Sequence, residues 1–292
     1  MTKQTEGGRT KREARILFRA GANRDGWFDA DDLLRQVDKA IDIFEAKTNG
    51  FAKGLWLFDN APGHQKRAPN ALSARNMTKN PSATWLPKSG VPMRDGWFMD
   101  GQNKISQPLY FPADHPTMPR WFKGMERIIQ ECGLWPERGL KAQCFDSFAK
   151  CLPGRTGCCC RRLLFNQPDF VSQKPQLQEY IESRSHFCDF YPKYHPETNF
   201  IEQYWGYSKL HYRNTPLTNN IQEMEKNVKE ALDKASLLQI RRWANRAARF
   251  ISSYAQGLDG AEAAYANRKF HGHRMLPAHV AASLKEEFKE MA

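Results

Sequence analysis

Apolar and polar positions along the chain follow two patterns, one typical of strands and one typical of helices. Residues 54–58 form an apolar run that is too short for a helix and ends in the turn formers of residues 59–63, which predicts a strand buried on both faces. Upstream, residues 28–47 place apolar side chains at helical spacing, with Asp29 as the expected N-cap. The apolar segment 14–18 predicts a further short strand, so the start of the chain is a strand, helix, strand unit.

A second transition from strand to helix follows much later in the chain. Residues 187–191 alternate as a strand, prolines then break the pattern, and helical spacing begins near Asn199. Glu202 lies in the first turn of this helix, where the helix dipole favours a carboxylate. A helix predicted at 175–183 leads into the strand, so helices and strands alternate as in an α/β fold.

Two acidic side chains stand out at these transitions. Asp59 is expected at the carboxyl end of a central strand, where open α/β sheets place their ligands. The alternative for Asp59 and Asn60 is a turn that bonds its own backbone, and the alternative for Glu202 is simple stabilisation of its helix. The pair is more informative than either acid alone.

The two segments that carry these acids resemble known motifs. FDNAPGH at 58–64 and YHPETNFIEQYWG at 194–206 are similar to the second and third acidic motifs of mariner-type DDE transposases, which have an RNase H-like fold. The resemblance extends over residues 14–276, to DDE-superfamily proteins of eukaryotic mobile elements. It implies that Asp59 is the second acid and Glu202 the third. In that family these acids and an earlier Asp bind two Mg²⁺ or Mn²⁺ ions that cut and rejoin DNA.

Four polar neighbours of the two acids are candidates for supporting roles. They would orient metal-bound water or the scissile phosphate, although each also suits an ordinary turn or capping role. Two lie beside Asp59 and two beside Glu202: Asn60, His64, His195 and Asn199.

The sequence departs from the family pattern at the first acid. That Asp should lie on a strand upstream of residue 14, and none of the residues 1–13 is Asp. Nothing in the spacing of Asp25 or Asp29 makes either a substitute. We therefore expect an RNase H-like mixed sheet that is incomplete at the N-terminus, lacking two strands and one metal ligand, and a catalytically incomplete enzyme.

The remaining segments predict four regions. We expect residues 1–13 to form a disordered basic tail and residues 14–64 with 186–213 to form the RNase H-like core. Residues 65–185 are expected to be a long insertion containing cysteines, and residues 214–292 a C-terminal helical region. Within the insertion we expect an irregular excursion at 68–119 with a hairpin near 94–105, a helix at 121–132 and an extended segment at 163–170. Four C-terminal helices are predicted at 221–235, 237–258, 261–268 and 278–291.

A crowded group of cysteines lies within this insertion. Cys144, Cys151 and the run Cys158 to Cys160 could supply the four tetrahedral ligands of a structural Zn²⁺ ion. We select Cys144, Cys151, Cys158 and Cys160, with His186 and Cys188 as outside candidates. Buried free cysteines are the alternative. The seven cysteines of the chain, odd in number, fit a reducing compartment better than a disulfide framework.

Charge points to a polyanionic partner. The chain has 44 Lys and Arg against 32 Asp and Glu, a formal net charge of +12, which suits nucleic acid, although simple solubility is the alternative. We predict DNA contacts beside the cysteines, on the helix after Glu202 and along one face of a C-terminal helix: Arg161, Arg162, Lys209, Arg213, Arg241, Arg242, Arg246 and Arg249.

Two classes of function follow. The first is a DDE transposase or endonuclease core, impaired by the missing acid. The second is a non-catalytic DNA-binding or zinc-stabilised interaction protein that keeps the fold. No membrane partner is expected because no apolar run is long enough to span a bilayer. Nuclear localisation is inferred only from the DNA partner, and a homodimer is left open.

Overall fold

The chain folds as two units, one of which is inserted into the sequence of the other. One, here called the split unit, comprises Met1–His64 with Ile181–Ala292, and the other, the inserted unit, comprises Gln65–Tyr180. The computed structural model describes residues 13–144, 151–270 and 275–291, together with the backbone of 5–6 and 9–10. The C-terminal helices therefore belong to the same unit as the strands that precede Asp59 and Glu202.

The split unit is organised around a parallel pair of short strands. After the antiparallel pair β1 (Thr5–Glu6) and β2 (Arg9–Thr10), helix α1 (Ala30–Thr48) begins at Asp29. As predicted, Asp29 is its N-cap, and it forms a capping box with Asp32. Strand β3 (Leu55–Phe58) then pairs in parallel with β6 (Phe187–Phe190), with Phe58 opposite Phe190.

The prediction that β3 is buried on both faces is wrong. Leu55 and Leu57 are 64% and 38% exposed, whereas the side chains of Trp56 and Phe58 face inward. Trp56 packs edge-on against Phe44 of α1, with 6.2 Å between the ring centroids. The strand has one open face because α1 covers only the other side of the pair.

Residues 14–18 also differ from expectation, since they form no strand. Arg15 of this segment instead pairs with Asp233, the last residue of helix α7 (Ile221–Asp233), at 2.7 Å. A few residues on, Arg19 pairs with Glu225 of the same helix at 2.5 Å. No described strand offers this segment a backbone partner, so it remains irregular.

The second half of the split unit is helical, as the apolar spacing predicts. Helix α5 (Gln176–Ser183), which begins in the inserted unit and ends in the split unit, leads into β6. A 3₁₀ turn at Pro196–Thr198 leads into α6 (Phe200–Arg213), whose first turn contains Glu202. The last four helices are α7 (Ile221–Asp233), α8 (Leu237–Ala255), α9 (Gly260–Lys269) and α10 (Ala278–Met291). Phe250, Leu258, Ala263 and Leu276 form the buried core of the last three helices and their loops.

The inserted unit has a larger apolar core than its irregular backbone suggests. The predicted hairpin is present, as β4 (Gly96–Asp100) and β5 (Asn103–Gln107), and helix α2 (Gly124–Glu131) follows. Outside the hairpin the region 68–119 is irregular, as predicted, but it buries several apolar side chains against α2. They are Leu72, Ala74, Met77, Met93 and Leu109.

Residues 163–170 are helical rather than extended. Helix α3 (Cys160–Phe165) is followed by α4 (Pro168–Val171), in which Pro168 occupies the first turn. Proline is accepted there because the amide hydrogen that it lacks has no partner in the first turn of a helix.

The architecture is therefore mixed α/β with a helical C-terminal region, as expected. The described strands form three separate pairs, however, and not one mixed sheet. Among the described residues, no helix combines the length and apolar character that a bilayer span needs.

Candidate metal and nucleic-acid sites

Asp59 lies at the carboxyl end of β3, as predicted. Its Oδ1 atom accepts a hydrogen bond from the Ala61 amide at 3.0 Å and lies 2.6 Å from Nδ1 of His64. The predicted turn role of Asp59 is therefore real. The side chain remains 41% exposed, and its Oδ2 atom has no hydrogen-bond partner among the described residues, so it is open to a ligand.

Asn60 fastens the loop after β3 to the end of β6. Its side-chain amide donates to the carbonyl oxygen of Tyr191 at 2.5 Å. Because β3 and β6 run in parallel and in register up to Phe58 and Phe190, residues 59 and 191 leave the two strands at the same edge. This bond commits the Asn60 amide to the loop, while His64 is placed directly against the carboxylate of Asp59.

Glu202 is exposed in the first turn of α6, on the segment that continues from Tyr191. Within the described part of the chain, no hydrogen bond or ion pair engages its side chain. His64 lies against Asp59, but no group of three close His, Cys, Asp or Glu ligand atoms within the described ranges includes Asp59 or Glu202. Both predicted acids thus offer carboxylate oxygens to a ligand, but the structure does not gather Asp59, His64 and Glu202 into one metal-binding group.

The two polar residues expected to support Glu202 are used otherwise. Nδ1 of His195 lies 2.8 Å from Oε1 of Glu197, and the hydroxyl of Tyr254 in α8 donates to the same oxygen at 2.5 Å. Asn199 is buried as the N-cap of α6 and makes no side-chain capping bond. Burial raises the pKa of Glu197, but the hydrogen bonds from Tyr254 and His195 outweigh it, so the pKa lies below 4.5.

Sequence reasoning missed this Glu197 and Tyr254 contact. Glu197 is part of the quoted YHPETNF segment, but nothing in the sequence links it to a tyrosine 57 positions away. Burial and the neighbouring carboxylate raise the pKa of Tyr254 to about 12. The contact fixes the turn before α6 onto α8, and so holds the segment from which Glu202 projects.

The cysteine cluster is the most complete candidate metal site in the described residues. Cys144, Cys151, Cys158 and Cys159 place their sulfur atoms within 4.8 Å of one another, close enough to bind a metal ion such as zinc. Cys151 and Cys159 are buried, with Sγ atoms 3.9 Å apart. All seven cysteines are free thiols, and neither His186 nor Cys188 belongs to the group.

The choice of Cys160 as the fourth ligand is wrong. Cys159 is the extended N-cap of α3, which directs its sulfur to the cluster, whereas Cys160 begins the helix and faces the apolar core. The Cys160 thiol lies 3.9 Å from the carbonyl oxygen of Leu140, and burial raises its pKa to about 11. Three consecutive cysteines in a sequence do not reveal where the helix starts.

Three of the four thiols have pKa values shifted from that of an ordinary cysteine. The contact with Cys158 and burial raise the pKa of Cys144 to about 12, and burial also raises the pKa of Cys158. Burial acts in the same direction on Cys151, but its interactions with Cys158, Arg162 and the other two cysteines outweigh it and lower its pKa.

Arg161 and Arg162 do not form the outward-facing pair predicted to meet phosphate. Both are partly buried. Arg161 donates to the Gln143 side chain and, at 3.5 Å, to the carbonyl oxygen of Met77. The nearby Arg162 side chain lowers the pKa of the Cys151 thiol. Both side chains are therefore directed into the inserted unit and not outward to a phosphate.

The basic face of α8 is largely exposed. Arg241, Arg242 and Arg246 are exposed, and no other described residue engages their guanidinium groups. Arg249 differs because its Nε atom donates to Asn267 of α9 at 3.4 Å and its side chain is partly covered. Three of the four predicted arginines are therefore available to an anionic partner.

Helix α6 presents a second exposed stripe. Trp205 and Leu210 are 41% and 57% exposed, so Trp205 lies outside the core although it is largely apolar. Tyr207 lies on the opposite side of α6 and packs against Trp243 of α8, with ring centroids 5.4 Å apart. The stripe continues from the acidic end of the helix to its basic end as Glu202, Trp205, Gly206, Lys209, Leu210 and Arg213.

Comparison with protein families, with curated proteins and with solved structures found no match to this chain.

Proposed function

We propose that this chain is a DNA-binding protein of the DDE transposase type, in which Asp59 and Glu202 belong to a Mg²⁺ or Mn²⁺ site. The observation that supports this most is the parallel pairing of β3 with β6. It brings the ends of the two strands that precede the acidic motifs to one edge, and Asn60 joins the loops there through Tyr191. The carboxyl edge of parallel strands is where α/β proteins bind ligands.

The chemistry of the two acids suits a hard divalent ion. Mg²⁺ prefers oxygen ligands, keeps several of its waters and needs only one or two carboxylates together with substrate phosphates. Asp59 has a free Oδ2 atom, and the Glu202 side chain is unengaged within the described ranges. His64 holds the other oxygen of Asp59 and thereby orients the carboxylate.

Strand transfer requires more than this. Two metal ions about 3.5 to 4 Å apart stabilise the attacking and leaving oxygens of the phosphodiester. Among the described residues, no group of three close His, Cys, Asp or Glu ligand atoms includes Asp59 or Glu202. We therefore propose weak binding of a single ion and little or no DNA cleavage by this chain alone.

DNA binding would rest on the exposed basic surfaces of α6 and α8. Guanidinium and ammonium groups that lack acidic partners contact phosphates at the least cost, because no ion pair has to be broken. Arg241, Arg242 and Arg246 meet this condition on α8, and Lys209 and Arg213 are exposed on α6. Trp205, exposed beside Glu202, offers a flat surface on which a base or sugar can stack.

The second candidate function is a non-catalytic interaction protein on the same fold. It is favoured by the cysteine group, which is the more complete metal site among the described residues. In this alternative DNA binding survives the loss of both acids, and divalent ions do not bind at Asp59.

Manganese binding separates the two candidates. Electron paramagnetic resonance titration of the purified chain with Mn²⁺ would show one bound ion that is lost in Asp59→Asn and in Glu202→Gln. Asp189→Asn is the matched control, because Asp189 is an exposed carboxylate on the neighbouring strand β6. Equal Mn²⁺ binding by all four proteins would reject the metal site.

Nicking of supercoiled plasmid tests catalysis on the same set of proteins. We expect no product above background with Mg²⁺ or Mn²⁺. Mg²⁺-dependent nicking that Asp59→Asn abolishes would show that the site is catalytically complete, against the proposal.

A further inference from the structure

We propose that Cys144, Cys151, Cys158 and Cys159 bind one structural Zn²⁺ ion as a closed four-thiolate site. The site lies wholly within the inserted unit and stands independently of any nucleic-acid function.

The spacing of the sulfurs fits a tetrahedron. A Zn–S distance of about 2.3 Å places the ligands of a tetrahedral site about 3.8 Å from one another. The Cys151 and Cys159 sulfurs are already 3.9 Å apart, and all four lie within 4.8 Å of each other. Side-chain adjustments of about 1 Å or less would therefore complete the coordination sphere.

The donor set selects the metal. Thiolates favour soft or borderline ions, and a tetrahedral set of four sulfurs is typical of zinc or iron. A cluster of several irons needs cysteines that reach different metal atoms, whereas these four converge on one point. Mg²⁺, which requires oxygen ligands, does not suit the site.

The site would be structural because it is closed. Four protein ligands leave no position for water or substrate, which distinguishes structural from catalytic zinc. The ion would tie Cys144 and Cys151 to the start of α3, whose residues Cys160 and Leu164 lie in the core of the inserted unit. Metal binding would therefore stabilise this unit.

Metal content and a cobalt replacement test the site. We would measure zinc per chain by plasma mass spectrometry, then replace it with Co²⁺ and record the intense visible absorption of tetrahedral cobalt thiolate. The wild type and Cys160→Ser should each carry one zinc and give the same cobalt spectrum, because Cys160 lies outside the group. Cys159→Ser should lose both.

Several results would overturn the proposal. They are iron instead of zinc, no stoichiometric metal in the wild type, or two disulfides among these four cysteines by mass spectrometry under non-reducing conditions. Loss of the cobalt spectrum in Cys160→Ser but not in Cys159→Ser would restore the set chosen from the sequence. If Cys159→Ser does not fold, the wild-type and Cys160→Ser spectra still decide, because a group of fewer than four thiolates gives a different cobalt absorption.

Discussion

Replacement of Arg241, Arg242 and Arg246 by Gln probes the DNA-binding surface most cleanly. All three are exposed on α8 and unengaged by other described residues, so their removal breaks no contact in the folded protein. Gln is also a good helix former, so α8 should be retained. Any change in DNA affinity then reports on the lost charges.

The expected size of the effect follows from counterion release. If each guanidinium contacts one phosphate, three contacts are lost, and the slope of log K against log salt concentration becomes shallower by about 2.7. If the variant and the wild type bind equally at 1 M salt, where counterion release no longer contributes, this slope change corresponds to a loss of affinity of about 500-fold at 0.1 M salt.

Fluorescence anisotropy with a short labelled duplex, between about 50 and 200 mM salt, measures both quantities. The matched control removes Arg35, Lys226 and Lys289, each of which is exposed and paired with an acid on its own helix. It lowers the net charge equally. A control variant that loses as much affinity as the α8 variant, or an α8 variant that keeps the wild-type slope, would refute the surface assignment.

Two further predictions concern stability. Gly124→Ala should destabilise the inserted unit by roughly 2 to 4 kcal/mol in urea unfolding, because φ is +80° and a Cβ atom would lie 2.5 Å from the backbone of Asn80; unchanged stability would contradict this close approach. The lowered pKa of Glu197 means that its stabilising contribution is present above pH 4.5 and is lost as the pH falls through the folded-state value. Glu197→Gln should therefore show a smaller drop in melting temperature than the wild type between neutral and strongly acidic pH, and equal drops would contradict the assignment.

The sequence predicts most of the helices and the two strands that precede the acidic motifs. Helical spacing of apolar residues locates α1 and the four C-terminal helices, and turn formers locate the end of β3. These features are local, so a single sequence contains them. The Asp29 cap is local in the same sense.

The wrong predictions depend on neighbours. Whether β3 is buried on one face or two depends on which elements cover it, and a run of apolar residues is the same in either case. The strand expected at 14–18 lacks a described partner strand, and its arginine pairs with an acid more than two hundred positions away. The buried residues of 68–119 have no periodic spacing in the sequence, because an irregular backbone turns its side chains inward at uneven intervals.

The candidate sites show the same division. Cys159 replaces Cys160 in the cluster because α3 begins between them, and sequence alone does not fix a helix start to one residue. Asp59 and Glu202 are placed at their predicted positions by local structure, and their shared use of a metal remains a prediction.

The most direct test of the metal site is a crystal structure of the chain grown with Mn²⁺ and measured at the manganese absorption edge. The account predicts one anomalous peak with carboxylate oxygens of both Asp59 and Glu202 as ligands. A structure in which Mn²⁺ binds neither acid, or in which the two carboxylates are too far apart to share one ion, would contradict it.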